Sequence, residues 1–352
     1  MSICFRCDAN SAIGYGHFSR CVSLADALYL QGYSCLFIMS NAGNDVRKTL
    51  TSSHHQLLNL ASKYSIENSG ELVNCEYIVA QLQSNNIKSP LLIIDHYQIS
   101  HQWMMNIKKT IPKVMLLNDS GKPYPDIDLI WDASCADPDE YNVISTTTTL
   151  LLGPQYALLR KEFQQSGLET KAALKFPLNK PIQLLIAIGA TDPLNTTSKL
   201  LTWLTQVPVN ITINVLTTSI NPHVEQLQKE FHSELINYFI DFDNIAEIMA
   251  KQQLIITAAG NMMWEAFSLG VPCAILKTCE NQSRNIALVN AVMNDIYLGQ
   301  ENALNKKTLV RTLLHLINNT DNLLLLSQQA LKLCDGQGAI RTAEIIAKKL
   351  RG

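Results

Sequence analysis

The sequence predicts an α/β protein made of two parallel-sheet halves. Three observations carry this expectation. Short apolar runs with β character recur and end in turns rich in Gly, Asn or Asp. Segments with helical spacing follow them, and the strand–loop–helix–strand order of the N-terminus restarts near residue 184. A length of 352 residues also suits two domains of about 150 residues better than one.

Residues 3–7 form the first β run, followed by Asp8-Ala9-Asn10-Ser11-Ala12-Ile13-Gly14-Tyr15-Gly16, a loop composition. Phe18, Cys21, Val22, Ala25 and Leu28 then fall at helical spacing, and Gly32 stands where that helix stops. Residues 36–39 read as the next strand. Residues 91–94 are continuously apolar and end in Asp95-His96-Tyr97, the pattern of a buried central strand with polar residues at its carboxyl end. Residues 114–117, followed by Asn118-Asp119-Ser120-Gly121, repeat that pattern. Residues 129–131 add a strand, and the threonines at 146–149 mark a strand edge or turn.

In the second half, residues 184–188 lead into the turn Gly189-Ala190-Thr191-Asp192-Pro193, with Asn195 as N-cap of a helix through Leu204. Residues 211–216 alternate like a strand. Residues 254–256 run into Thr257-Ala258-Ala259-Gly260-Asn261 and a short helix to Leu269, which Gly270-Val271-Pro272 breaks before a strand at 273–276. After Asn305 the chain reads as helices with a basic end at Lys348, Lys349 and Arg351. The expected organisation is an N-terminal α/β domain (1–163), a polar linker (164–181), a C-terminal α/β domain (182–330) and a C-terminal helix (331–352).

Composition narrows the function. The chain is 47% apolar and 16% charged, which supports substantial cores rather than disorder. Twenty-eight Lys and Arg against thirty Asp and Glu leave a net charge of -2, so no basic surplus exists to track a nucleic-acid backbone. No apolar run approaches the ~20 residues of a membrane span, and a strand expected at once after Met1 leaves no room for a signal peptide. Nine scattered cysteines read as buried thiols of a cytoplasmic protein.

Gly14-Tyr15-Gly16-His17 is the most informative segment. A strand, a glycine turn and a helix N-terminus can place backbone N–H groups against an anion. The dinucleotide fingerprint wants a third glycine where Ser19 stands. His17 at the helix start, where the dipole disfavours imidazolium, either acts as a general base or merely caps and packs. Arg20, one turn on, faces a phosphate or pairs with a carboxylate such as Asp8. Asp95 and His96, at the end of a buried strand, either orient water or substrate or simply cap a turn. Asp119 has the same ambiguity.

In the second half, the helix N-terminus at Gly260 and Asn261 can receive a diphosphate, and Glu265 can accept from a ribose diol. Asn281 and Gln282 can read a base or sugar if that loop converges with the helix; otherwise the loop is only solvated. Asp126/Asp128, Asp137/Asp139 and Asp241/Asp243 are weak metal candidates, the last because Asn244 and Glu247 have capping-box spacing. Cys4 and Cys7, three apart in a strand, point to opposite faces and make no redox pair.

The segment from Phe5 to Asn10 and Ile13-Gly14-Tyr15-Gly16-His17 with Arg20 resembles the nucleotide-sugar hydrolases of pseudaminic acid biosynthesis, the UDP-2,4-diacetamido-2,4,6-trideoxy-β-L-altropyranose hydrolase family. Leu91 through Asp95-His96-Tyr97, Tyr156 through Phe163, Gly189 with Thr191-Asp192, Asp241 through Ala246, Ile255 to Ala258 and Asn281-Gln282 follow in the family's order. The resemblance implies a glycosyltransferase-B-like fold, two Rossmann-type domains facing a cleft, with UDP held mainly by the C-terminal one. It implies hydrolysis of the UDP-sugar at the anomeric carbon with inversion, without metal or redox cofactor.

On this reading His17 is the base, and Asp8, Gly16, Arg20, Asp95, His96 and Tyr97 surround the sugar. Gly189, Gly260, Asn261, Met262, Glu265, Asn281 and Gln282 hold UDP. The chain departs from the family at Asn118, where a carboxylate is expected and sugar recognition would change, and at Ala190 for glycine. It also departs at Ala259-Gly260-Asn261-Met262, where Gly-Gly-Ser-Thr is frequent. A glycosyltransferase of the same fold and a non-catalytic sugar-nucleotide-binding protein are the alternatives.

Overall fold

A computed structural model of the chain describes residues 2–9, 15–142, 147–165 and 181–351. Asn10 to Gly14 and most of the expected linker lie outside the described residues. The chain divides into two units, Met1–Lys161 with Gln337–Gly352, and Glu162–Gly336.

The first unit contains β1 (Ser2–Cys7), α1 (Gly16–Leu30), β2 (Ser34–Ser40), α2 (Asn44–Ser52), β3 (Gln56–Leu60), α3 (Ile66–Ser84) and β4 (Leu92–Asp95). It continues with α4 (His101–Ile107), β5 (Val114–Leu117), β6 (Leu129–Asp132) and β7 (Thr149–Leu152), and α5 (Lys161–Gln165) crosses its boundary. The strands form one parallel sheet in the order β3-β2-β1-β4-β5-β6-β7. The order reverses between β1 and β4, and their register pairs Cys7 with Asp95. Open α/β sheets bind ligands outside the carboxyl ends of strands at such a switch. The fold therefore brings Asp8, which follows β1, next to Asp95 at the end of β4.

One sheet face packs on α3 and α4 through Cys4, Ile38, Ile94, Ile78, Trp103 and Met104, all buried. Trp103 Nε1 donates to Asn74 Oδ1 (3.2 Å), and Asn74 Nδ2 donates to the Tyr64 carbonyl (2.7 Å), so the largest core side chain leaves no polar atom unpaired.

The second unit holds β8 (Ile182–Ala187), α6 (Thr196–Leu204), β9 (Ile211–Thr217), α7 (Val224–Glu230), β10 (Ile236–Ile240), α8 (Ile245–Ala250) and β11 (Leu254–Ala258). After these come α9 (Asn261–Ser268), β12 (Cys273–Lys277), α10 (Ser283–Asn290), β13 (Tyr297–Gln300), α11 (Lys306–Ile317) and α12 (Thr320–Leu333). Its parallel sheet runs β10-β9-β8-β11-β12-β13, with the reversal between β8 and β11. Ala187 pairs with Thr257 there, so the loops after Ala187 and Ala258 leave the sheet side by side.

The end of the chain differs from the expectation of one C-terminal helix. Residues 331–352 hold the end of α12 and a separate helix, α13 (Gly338–Arg351), which belongs to the first unit and packs on α1. Gly338 lets the start of α13 lie against residues 156–157: a Cβ there would lie 2.5 Å from the Tyr156 carbonyl carbon and 2.6 Å from the Ala157 nitrogen. The N-cap of α6 also differs. Asn195 is left-handed (φ 48°) with no capping bond, and Asp192 instead accepts from Thr196 N (2.7 Å) and Thr197 N (2.8 Å). Asn244 caps α8 as the spacing predicts, accepting from Glu247 N. Among the described residues no helix is long and apolar enough to cross a membrane.

Candidate active site

Four residues expected around the sugar, Asp8, Asp95, His96 and Tyr97, line one pocket of about 340 Å³ in the first unit together with His17, the expected base. Gln98 and Glu67, which no sequence signal singled out, complete its wall. Gly16 is the first residue of α1, and open space surrounds the place its Cβ would take.

His17 sits at the start of α1 with its side chain largely buried, and its Nδ1 lies 2.6 Å from Asp95 Oδ1. Arg20 NH2 also approaches Nδ1, at 3.2 Å. The short contact decides the tautomer, because an unprotonated Nδ1 would set two lone pairs against each other at that distance. Nδ1 therefore carries the proton and donates to Asp95. In the neutral ring the lone pair is then on Nε2, which makes no hydrogen bond among the described residues.

Asp95 is fixed by four donors. Oδ1 accepts from His17 and from Arg20 NH2 (2.5 Å), and Oδ2 accepts from Arg20 Nε (2.6 Å) and the Cys21 thiol (3.6 Å). Burial alone would raise the Asp95 carboxyl, but the Arg20 charge and then His17 outweigh it and hold the group well below the usual carboxylate range. Burial pushes the Cys21 thiol far up, so it remains an S–H donor. Cys21 is thus a core residue with one polar duty. Cys4 packs on the opposite sheet face from Cys7, which contacts Cys21.

The structure corrects two expectations about charge. Arg20 pairs not with Asp8 but bidentately with Asp95, while NH1 reaches Asp119 Oδ2 (3.2 Å) and the guanidinium covers the Trp131 ring at 5.3 Å. Its Nε, NH1 and NH2 all point at carboxylates, and the bidentate pair holds Asp95 in place. Asp8 belongs instead to Arg6, which is fully buried: Oδ1 accepts from Arg6 NH1 (2.6 Å) and Ser40 N (2.7 Å). Oδ2 accepts from Arg6 NH2 (2.9 Å) and His96 Nε2 (3.0 Å). Burial would raise Asp8 too, yet His96 and Arg6 keep it well below the ordinary range. Arg6 carried no recognisable signal in a short strand of apolar neighbours.

His96 is also redefined. Its Nδ1 accepts from Gln98 N (3.2 Å), so the ring proton sits on Nε2 and points at Asp8. Both nitrogens are occupied, and His96 presents no basic lone pair to the pocket. Tyr97 is 58% exposed, stands edge-to-face with His17 at 4.7 Å, and donates to Asp119 Oδ2 (2.9 Å). Asp119, ambiguous in the sequence, thus joins the site through Arg20 and Tyr97. Asn118 does not line the pocket. It is buried, donating to the Lys122 carbonyl (2.8 Å) and Tyr141 Oη (2.9 Å) and accepting from Ser120, so its change from a carboxylate touches a structural turn.

In the second unit, Gly260 is the N-cap of α9, which has no capping side chain and no acidic residue in its first turn. Asn261 and Met262 are the first helical residues and are half-buried, while Glu265 is buried on the same helix. Gln282 Nε2 lies 3.8 Å from where a Gly260 Cβ would stand, and Asn285 Nδ2 donates to the Ala259 carbonyl (2.8 Å). The loop and the helix N-terminus therefore converge. Asn281 is exposed beside Cys279, whose thiol lies 2.8 Å from Asn281 Oδ1. Gly189 adopts φ +130°, a conformation side chains rarely take, and its loop ends in Asp192 on the α6 amides. With α6 closed by a carboxylate, α9 offers the open helix N-terminus next to Gln282.

The Asp-x-Asp pairs do not gather. Asp128 binds Lys108 (2.9 Å), Asp137 caps a short turn and Asp241 accepts from Ser219 N (2.9 Å). Among the described residues no group of three or more His, Cys, Asp or Glu is placed to hold a metal.

Residues 178–338 match the glycosyltransferase family 28 C-terminal domain. The chain is 28% identical over 277 residues to the UDP-2,4-diacetamido-2,4,6-trideoxy-beta-L-altropyranose hydrolase of Campylobacter jejuni, covering 76% of this chain and 89% of that one. It is 25% identical to the spore coat polysaccharide biosynthesis protein SpsG of Bacillus subtilis, over 95% of this chain and 94% of the relative. The crystal structure of Acinetobacter baumannii MurG superposes with a TM-score of 0.67 at 13% identity, covering 99% of both chains. The chain thus has a glycosyltransferase-B-like fold, its residues 178–338 are similar to the glycosyltransferase family 28 C-terminal domain, and its sequence is similar to that of the UDP-diacetamido-trideoxy-altropyranose hydrolase.

Proposed function

We propose that this protein is an enzyme acting on nucleotide sugars, and that it hydrolyses a UDP-linked 2,4-diacetamido-2,4,6-trideoxyhexose at the anomeric carbon with inversion. The observation that carries the reading is His17, with Nδ1 tied to the Asp95 carboxylate and Nε2 left to the pocket. In a single displacement, Nε2 takes a proton from water as its oxygen bonds to the anomeric carbon. The bond from that carbon to the UDP oxygen breaks, and the electron pair leaves on the diphosphate. Asp95 stabilises the imidazolium that forms, and Arg20 and Cys21 hold Asp95 in line.

UDP is assigned to the second unit. The uncapped amides of Asn261 and Met262 at the α9 N-terminus receive the diphosphate, Glu265 faces the ribose, and Asn281 and Gln282 read the nucleotide-sugar. Gly189 keeps the neighbouring loop free of a side chain. Backbone donors of this kind agree with a chain of net charge -2. No step requires a metal, so turnover is expected to persist in EDTA.

The similarity to a glycosyltransferase family 28 domain favours a second reading, transfer of the sugar to a hydroxyl acceptor through the same base. One experiment separates the two. The protein is incubated with the UDP-linked diacetamido sugar and no acceptor, and UDP and the anomer of the free sugar are followed by NMR. Rapid UDP release with an inverted anomer supports hydrolysis; UDP release only on adding an acceptor supports transfer.

A further inference from the structure

Three carboxylates face the pocket of the first unit: Asp8, Asp95 and Glu67. A carboxylate has about four lone-pair sites. Asp8 fills them with two bonds from Arg6, one from Ser40 N and one from His96. Asp95 fills them with two from Arg20 and one each from His17 and Cys21. Neither has an acceptor site left for a ligand. Glu67 differs: it is exposed, and it makes no hydrogen bond or ion pair among the described residues.

Its neighbours on the chain are anchored on both sides. Glu67 lies in the first turn of α3, whose N-cap Ser65 accepts from Asn68 N (3.3 Å). Just beyond the kink at Gly70 (φ 77°), Glu71 accepts from Ser100 N (2.5 Å) and Ser100 Oγ (2.6 Å). Ser100 in turn caps α4 and ends the segment that carries His96, Tyr97 and Gln98 into the pocket. The part of α3 that follows the kink and the segment bearing the other wall are thus joined by two hydrogen bonds. A free acceptor thus stands one turn before the anchored Glu71, on the wall of the pocket that His17 also lines.

We infer that Glu67 is a specificity residue of this site, accepting a hydrogen bond from a donor on the hexose, in the proposed substrate an acetamido N–H. This rests on the reading of the pocket as the sugar site. A 2,4-diacetamido-2,4,6-trideoxyhexose offers two amide N–H groups, and a carboxylate acceptor on the wall of a pocket whose other carboxylates are occupied is suited to one of them. Glu67 contacts the part of the ligand that UDP lacks, so it acts on recognition of the sugar and not on water activation.

The test compares Glu67→Ala and Glu67→Gln with the parent protein. With the UDP-linked diacetamido sugar, Glu67→Ala is expected to raise KM by about ten- to a hundredfold, the size of a lost hydrogen bond to a charged group, with kcat changed much less. Glu67→Gln, which keeps a carbonyl acceptor, falls between. Calorimetry in a His17→Asn background separates this proposal from the hydrolase reading. Glu67→Ala should weaken the UDP-sugar by a similar factor and leave UDP unchanged. Equal affinity for the UDP-sugar with and without Glu67, or an equal loss for UDP, overturns the proposal. So does a collapse of kcat at unchanged KM, which would make Glu67 the base. If the parent protein releases no UDP, the hydrolase reading fails, while the two affinities still decide the role of Glu67.

Discussion

Replacing His17 by Asn isolates the chemistry of one nitrogen. The variant lacks the Nε2 lone pair, and general-base catalysis is worth about 10²- to 10⁴-fold, or roughly 3–5 kcal/mol of barrier. The structural cost is smaller. His17 contributes one 2.6 Å hydrogen bond to Asp95, which keeps both bonds from Arg20 and the Cys21 contact. Losing a hydrogen bond to a charged group costs about 1.5–3 kcal/mol, and the Asn amide can recover part of it. The folded state should survive, so a rate loss belongs to the chemistry. In a coupled assay of UDP release, kcat should fall at least a hundredfold while the Kd for UDP, measured by calorimetry, stays within about threefold. His96→Asn should slow the reaction far less, because both His96 nitrogens are already occupied. Comparable losses in the two variants, or a His17→Asn enzyme within tenfold of the parent, would refute the assignment.

Asp95→Asn should both slow turnover and destabilise the first unit, because it leaves Arg20 buried with only Asp119 at 3.2 Å; a loss of about 3–5 kcal/mol in urea unfolding is expected, and one under 1 kcal/mol would contradict the ion-pair account. Asp8 and Asp95 have carboxyls held below their unfolded values, so the unfolded chain binds more protons in acid, and stability should be fully present above pH ~4 and fall as pH is lowered further. Unfolding midpoints that do not decline in that window would contradict those shifts. Gly338→Ala should destabilise by about 1–3 kcal/mol through overlap with the backbone at Tyr156 and Ala157, read as a lower Tm. Asp192→Ala should cost about 0.5–2 kcal/mol by uncapping α6, a loss that an unchanged Tm would exclude.

The central strands were legible because each is buried on both faces and reads as a continuous apolar run, as in residues 91–94 and 114–117. The sheet edges were not. β3, β7, β10 and β13 are the four edge strands, and half-exposed residues such as those of Gln56–Leu60 and Ile236–Ile240 leave no such run. At the site, Asp95 and His17 stood out as polar residues at a strand end and a helix start. Their partners did not, because hydrogen-bond pairing between Arg20 and Asp95, 75 residues apart, depends on which strands become neighbours. Glu67 lies on a helix that ordinary spacing did not reveal, since Gly70 (φ 77°) kinks it and interrupts the apolar period.

The most direct measurement follows oxygen. With the UDP-linked diacetamido sugar in H₂¹⁸O, attack of water on the anomeric carbon places the label on C1 of the free sugar, in the inverted anomer, and leaves UDP unlabelled. Label in UDP would mean cleavage at phosphorus, and a requirement for an added acceptor would mean transfer. Either outcome would contradict hydrolysis at the anomeric carbon by His17-activated water.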